Sequence, residues 1–434
     1  MAGDWPEVRL RDLSQVITKG TTPTSLGFRF TDAGINFVKS ESVTFDGSID
    51  RSKFARIAEE THAALRRSQL KEGDVLFSMA GVYIGKTAVV PKDILPANTN
   101  QAVGIVRLKQ ELAHPRFIDY FLRNPSYNLF LNNLVSQSAQ PNLNLAEIGN
   151  LPISLPPLAD QKAIASVLGA LDDKIELNRC MNATLESMAR ALFQSWFVDF
   201  DPVRAKLDGR QPVGLDVATS ALFATHLEET TLGHTPQGWE ISSLDKIANY
   251  LNGLALQKYP PGDGPTLPVI KIAQLRKGDS LGADRCNTEL PPAYVVEDGD
   301  VLFSWSGSLE VEIWCGGPGA LNQHLFKVTS PEFPKWFYYL WTLYHLDDFR
   351  LIAAAKATTM GHIQRGHLNA AKVLVPPRPL IDAMTRIMSP FIEQIVANRQ
   401  QSRTLATLRD TLLPKLLSGD LRVPGAEQIE GKVA

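Results

Sequence analysis

The sequence is poor in the residues on which most recognisable chemistries depend. Three cysteines occur in 434 residues. Cys180, Cys286 and Cys315 are odd in number and lie in no metal-ligand spacing, which argues against a disulfide-stapled scaffold and a cysteine-based zinc site. No run of roughly 18 apolar residues is present, and the start, Met1-Ala2-Gly3-Asp4-Trp5, has no charged segment followed by an apolar one. Neither a membrane span nor a signal peptide is expected, and the expected location is cytoplasmic. Excess charge is missing too: 44 Lys plus Arg against 46 Asp plus Glu leave a net charge of −2. A chain that held nucleic acid by charge alone would be more basic, so such a role requires local patches or a partner that supplies positive charge.

Catalytic signatures are equally scarce. Gly81 to Thr87 resembles a phosphate-binding loop, but the spacing between Gly81 and Gly85 is one residue short, and the counterpart after Gly307 has no Gly-Lys-Thr. Asn124-Pro125-Ser126-Tyr127 resembles the Asn-Pro-Pro-Tyr loop of adenine N6-methyltransferases, yet no glycine-rich cofactor loop precedes it, and Pro125 reads as a helix start. His362 and His367 have no third ligand near them in sequence. No serine elbow, paired carboxylates or cysteine and histidine pair can be assembled. The chain reads as non-catalytic, with no metal and no cofactor of its own.

What the sequence does have is a duplication. Gly73 to Gly81 reads Gly-Asp-Val-Leu-Phe-Ser-Met-Ala-Gly, and Gly299 to Gly307 reads Gly-Asp-Val-Leu-Phe-Ser-Trp-Ser-Gly. Asn100-Gln101 recurs as Asn322-Gln323, Pro156-Pro157 as Pro376-Pro377, and the Trp5 opening as Trp239. A period above 200 residues is too long for solenoid or propeller units, so each copy is a folded domain with its own appendage. Short β-branched runs bounded by Gly, Pro and Asn alternate with helical stretches such as Pro115 to Leu134 and Pro334 to Ala355, so each half begins with an α+β domain. The Asp74 and Asp300 pair reads as turn residues rather than ligands.

After each Pro-Pro pair the apolar period changes to alternating steps of four and three, a coiled-coil seam. In the first half it runs Ile164, Leu168, Leu171, Ile175, Asn178, Asn182, Leu185, Ala189, Leu192 and Trp196. In the second it runs Met384, Met388, Phe391, Ile395, Asn398, Ser402, Leu405, Arg409, Leu412 and Leu416. Pro390 and Pro414 predict a kink or a break in the second helix. A helix of about 40 residues is ~60 Å long, more than a small domain can cover. The two therefore pair, with antiparallel packing placing the domains at opposite ends, or each folds back on its own domain.

The expected organisation is a first globular domain over 1–157, a central spacer helix over 158–198, a crossover over 199–236, a second domain over 237–379, a C-terminal spacer helix over 380–421 and a tail over 422–434. The fold class is α+β: two globular domains in tandem, separated by two long helices pairing as an antiparallel coiled coil with pseudo-two-fold symmetry.

The layout of Trp5 to Leu13, the Gly-Asp-Val-Leu-Phe-Ser block, Leu155-Pro156-Pro157-Leu158-Ala159-Asp160-Gln161, the long helix, and Trp196-Phe197-Val198-Asp199-Phe200-Asp201-Pro202-Val203 resembles the specificity subunit of type I restriction-modification enzymes over essentially the full chain. Arg378-Pro379-Leu380-Ile381-Asp382-Ala383 lacks the glutamine of the first copy, so contacts there are expected to differ. The resemblance implies two target recognition domains, each reading one half of a bipartite, asymmetric site in double-stranded DNA. It implies helices that set the spacing and dock two modification subunits, which bind S-adenosylmethionine and methylate adenine. Restriction subunits that use ATP and Mg would join the same complex.

Base readout needs paired donors and acceptors on groove-facing loops, and phosphates are met by Lys, Ser, Thr and backbone amides. The candidates in the first domain are Lys19, Thr21, Lys39, Ser40, Ser78, Asn98, Asn100, Gln101, Ser138, Gln140 and Asn142. In the second they are Lys271, Gln274, Ser304, Ser306, Asn322, Gln323, His324, Thr358, Thr359, His362 and Gln364. The competing readings are an orphan specificity protein that recruits only a methyltransferase, a two-headed scaffold that grips proteins, and a cofactor-independent enzyme with duplicated sites. No duplicated pair of titratable residues supports the last.

Overall fold

The structure is a computed structural model that describes residues 5–80, 84–125, 127, 129–131, 142–355 and 361–423. The chain divides into two compact units, residues 1–173 with 405–434, and residues 174–404.

The first unit is built on two four-stranded sheets. One orders Ser14–Lys19, Val103–Leu108, Val75–Ser78 and Thr87–Val89; the other orders Phe30–Thr31, Ala55–Ile57, Ile35–Val38 and Ala97–Thr99. The second unit repeats both. One sheet orders Asn249–Asn252, Leu325–Thr329, Val301–Ser304 and Val311–Ile313; the other orders Arg285–Asn287, Thr266–Ile270, Gly319–Leu321 and Val295–Val296. In each smaller sheet one pair is parallel: Ile35–Val38 with Ala97–Thr99, and Thr266–Ile270 with Gly319–Leu321. An antiparallel clasp closes each head, Glu7–Arg9 on Pro152–Ser154 and Glu240–Ser243 on Lys372–Val375.

The duplicated block is the centre of this frame. Successive side chains of a strand point to opposite faces. Val75 and Phe77 accordingly enter one core, with Leu10, Phe117 and Ile153, while Leu76 enters another with Val38, Val90 and Ile105. Val301 and Phe303 divide from Leu302 in the same way. A strand covered on both faces must be apolar throughout, which is why Val-Leu-Phe is written without alternation. The glycine before each block has positive φ, +80° at Gly73 and +91° at Gly299. The following aspartate closes the turn: Asp74 accepts from the Lys71 N–H at 2.8 Å and Asp300 from the Glu297 N–H at 2.8 Å. Each is also paired to a cation on the neighbouring strand, Asp74 to Arg107 at 2.7 Å and Asp300 to Lys327 at 2.8 Å. Both are turn residues, as expected.

The central helix runs Leu158–Phe193, with a π turn over Gln194–Val198. The C-terminal helix runs Arg378–Ser418 without a break. Of the kink or break expected near Pro390 and Pro414, no break occurs, and both prolines sit on the exposed face. There the carbonyls of residues 386 and 410, deprived of their helical partner, can be hydrated. Every seam position named above is buried or half-buried.

In the second unit the helices pair antiparallel. The Asn178 amide donates to the Asn398 carbonyl at 3.3 Å, to Gln401 Oε1 at 2.9 Å and to Ser402 Oγ at 3.2 Å. One turn further on, Asn182 donates to the Ile395 carbonyl at 3.3 Å and accepts from Asn398 Nδ2 at 2.9 Å. The partner number falls as the index rises. In the first unit Ile164, Ala165 and Leu168 share a core with Leu413, Leu416, Leu417 and the head, and Arg409 pairs with Asp172 at 2.7 Å. Pairing and folding back therefore occur together: within each unit the helix segments pack on one another and on that unit's head.

The two sequence motifs that flank the central helix are structural. Gln161, wholly buried, accepts from the His114 N–H at 2.9 Å and donates to the carbonyls of Leu112 and Pro156 at 3.1 and 2.9 Å. Its counterpart Ile381 is buried among apolar side chains instead. Phe197 is the hub of an aromatic cluster, with Phe193, Trp239, Trp336, Phe337 and Trp341 rings at 5.1 to 6.0 Å. The segment 199–236 is more ordered than a bare crossover: it holds helices Asp201–Leu207 and Val217–Leu222 and a hairpin of Leu227–Thr230 with Gly233–Pro236.

Candidate functional site

In each unit three strand ends converge on the turn that joins two further strands. In the first unit the turn is Thr99 to Val103. Gly20, at the end of Ser14–Lys19, donates to the Val103 carbonyl at 3.1 Å, and the Thr21 N–H donates to the Thr99 carbonyl at 3.0 Å. The end of Ile35–Val38 is tied by Thr99 Oγ1 to the Val38 carbonyl at 2.8 Å. The end of Val75–Ser78 is tied by the Met79 N–H to the Ala102 carbonyl at 2.8 Å, and the Leu143 N–H donates to the Met79 carbonyl at 2.9 Å.

The second unit repeats the four backbone bonds. Gly253 donates to the Leu325 carbonyl at 3.0 Å, Leu254 to Leu321 at 3.0 Å, Trp305 to His324 at 3.3 Å, and Ile363 to Trp305 at 3.0 Å. Bridges Ala80 to Asn142 and Ser306 to His362 complete the parallel. The close approach requires glycine. A Cβ on Gly20 would lie 2.2 Å from the Thr99 carbonyl oxygen, and one on Gly253 would lie 2.3 Å from that of Asn322.

This convergence gathers many of the candidates. Lys19, Gln101 and Asn142 are exposed on it, and Thr21 and Asn100 are half-buried. Asn100 Oδ1 accepts from the Ala102 N–H at 3.2 Å, as a turn residue does. Lys39 and Ser40 follow the adjoining strand end, with Lys39 Nζ 3.7 Å from Glu41 and 5.5 Å from the Phe30 ring centre. Arg67, not anticipated from the sequence, reaches Thr21 Oγ1 at 3.4 Å. Lys19 and Arg67 thus give a nearly neutral chain a local positive edge.

In the second unit Ser306, Gln323, His324 and His362 come together around Trp305. The ring centres of His324 and His362 lie 5.9 and 6.2 Å from that of Trp305. Trp305 Nε1 donates to Asn252 Oδ1 at 2.8 Å and to the Gln323 carbonyl at 3.2 Å. Trp305 and Asn252 are not among the candidates; Asn252 occupies the place of the candidate Lys19, so aligning the halves finds it, whereas Trp305 occupies the place of Met79 and has no such signal.

Other candidates are internal, and the structure removes them as ligand contacts. Ser78 is wholly buried in its strand. Asn98 is wholly buried, bonded to His62, to Ser68 Oγ at 3.0 Å and to the Leu65 carbonyl at 3.1 Å. Ser304 is wholly buried, donating to the Ser308 carbonyl at 2.6 Å and accepting from the Glu310 N–H at 2.7 Å. Ser78 and Ser304 belong to the repeated block, whose strand is core, and Asn98 sits on the strand Ala97–Thr99 of the other sheet. Asn322 is buried and caps the turn, accepting from the His324 N–H at 3.2 Å. Gln274 accepts from the Lys271 N–H at 3.3 Å as a helix cap, and Lys271 pairs with Asp284. Gln364 is exposed and caps the helix Arg365–Ala370. Ser138, Gln140, Thr358 and Thr359 lie outside the described residues.

Among the described residues no three His, Cys, Asp or Glu side chains gather as a metal site, and no helix is long and apolar enough to cross a membrane. The arrangement offers hydrogen-bonding side chains and cations along one edge of each unit.

A model of the type I restriction modification DNA specificity domain matches the chain twice, over residues 2–187 and 236–405. The type I restriction enzyme MjaIX specificity subunit of Methanocaldococcus jannaschii is 24% identical, covering 97% of this chain and 94% of its own length. The HindI specificity subunit of Haemophilus influenzae is 23% identical, covering 96% and 100%. Among solved structures, the type I restriction-modification S subunit from M. genitalium aligns with a TM-score of 0.53 at 15% identity, covering 95% of this chain and 96% of its own. It shares the fold.

Proposed function

The chain belongs to the type I restriction modification DNA specificity family, as a DNA-recognition subunit, and on that premise we propose that each of its two heads reads one half of a split, asymmetric DNA sequence. The observation that carries this reading is the doubled frame. The backbone bonds at the strand ends are the same in both units, while the side chains mounted on them differ: Ala80 against Ser306, Ala102 against His324, Asn142 against His362. One frame with two sets of polar groups suits two readers of different half-sites.

The helices act as the spacer that fixes the unread gap. The 36-residue and 41-residue helices would be ~54 and ~62 Å long, against a duplex repeat of ~34 to 36 Å. They also dock two methyltransferase subunits. Those subunits supply S-adenosylmethionine and the methylation chemistry, restriction subunits supply ATP-driven cleavage, and this chain contributes no catalytic group. With a net charge of −2, its own hold on DNA is weak, and the partners complete the positive channel.

The full chain assembled with its modification partner is expected to lose affinity for its duplex by a factor of about 10³ or more between 50 and 200 mM salt, through release of phosphate counterions. Salt-insensitive binding without preference among duplexes would favour a protein-gripping scaffold instead.

A further inference from the structure

We propose, building on the DNA-recognition reading, that Gln323 is a base-reading side chain of the second unit and that its amide selects adenine, with His324 and Ser306 as positioning residues. The backbone of Gln323 is fixed on both sides: its N–H donates to the Leu254 carbonyl at 2.9 Å and its carbonyl accepts from Trp305 Nε1 at 3.2 Å. The neighbouring Gly253 lets that segment press against the turn. Only the half-buried side chain is left to turn outward.

Its amide is also held. Gln323 Nε2 lies 3.3 Å from His324 Nε2, and His324 Nδ1 lies 2.9 Å from Ser306 Oγ. The arrangement that satisfies both has the ring accepting the amide proton at Nε2 and donating from Nδ1 to the serine. One amide N–H is then spent, and the other stands beside Oε1 as a donor and acceptor pair. In the major groove adenine alone offers the complement, N7 as acceptor and N6–H as donor. Guanine offers two acceptors, cytosine a donor only, and thymine an acceptor beside a methyl group.

The first unit carries the same turn with Gln101 exposed, but Ala102 and Ala80 stand where His324 and Ser306 do. Its glutamine lacks the buttress, so the two heads differ in how tightly an equivalent amide is set. The sequence repeat marks both glutamines; the difference in setting is visible only in the fold.

The test uses the full chain co-expressed with its methyltransferase partner, reading methylated sites across the host genome by sequencing. Gln323→Ala is expected to lower discrimination at one adenine of one half-site by between about fivefold and about 150-fold, leaving the other half-site intact. Gln323→Glu, nearly isosteric and an acceptor only, should move that position toward cytosine, and it carries the test if the alanine variant folds poorly. His324→Ala should relax the same position by a smaller factor, and no other. Unchanged half-sites in both Gln323 variants, or relaxation in both half-sites at once, would overturn the assignment. A wild-type complex that methylates no split site would overturn the DNA reading beneath it, and the wild-type sample alone decides that.

Discussion

Gln161 and Ile381 occupy corresponding places at the start of the two long helices, one tying three backbone groups and the other filling a core. Truncation should therefore act by different means. Gln161→Ala strands the His114 N–H and two carbonyls and is expected to cost about 2 to 3 kcal/mol, measured by urea denaturation. A loss below about 0.5 kcal/mol would mean that water replaces the amide without penalty. At this scale the sequence was a partial guide. Glutamine in Pro-Pro-Leu-x-x-Gln stood out and one partner, the Pro156 carbonyl, lies in the motif, but the other two, at Leu112 and His114, are 49 and 47 residues away and nothing in the motif names them. Ser78 and Ser304 show the converse. Polar residues in a repeated block look like ligands until the second sheet, made of distant segments, is seen to cover them.

At the scale of the element, the seams were legible because a four-three period is written directly in the side chains. The unbroken C-terminal helix was not, because whether a proline breaks a helix depends on which face it takes. What latches each helix pair to its head was also invisible, since ion pairs join segments far apart. In the second unit Arg403 makes a two-pronged pair with Asp298 at 2.6 and 2.8 Å and also donates to the Cys315 carbonyl at 2.6 Å. Burial pushes the Asp298 carboxyl up, but the Arg403 bonds and the Gly317 N–H hold it below its ordinary 3.8. A carboxyl lowered in the folded state adds stability that is present above pH 3.8 and is lost as the pH falls through the lower folded-state value. Asp298→Asn should therefore lower the unfolding midpoint at neutral pH and flatten its fall in acid, as thermal melts across pH 2 to 7 would detect. A variant with the same acid profile as the parent would show that the pair adds nothing.

For the whole molecule, duplication was the strongest message in the sequence, and the structure gives it a mechanical meaning. Most of the repeated residues build the frame; on its edge the repeated pair Gln101 and Gln323 stands among residues that differ between the copies, such as Ala80 against Ser306 and Ala102 against His324. Two heads with one frame should be exchangeable as modules, because each carries a core made of its own residues alone and its own strand-end turn. The most direct measurement replaces residues 1–157 with the corresponding head of a related specificity subunit, pairs the chimaera with the same methyltransferase, and sequences the methylated adenines of the host. One half-site should change to that of the donor while the other half-site and the gap between them stay as they were. An unchanged site, or one altered in both halves, would contradict the account of two independent readers.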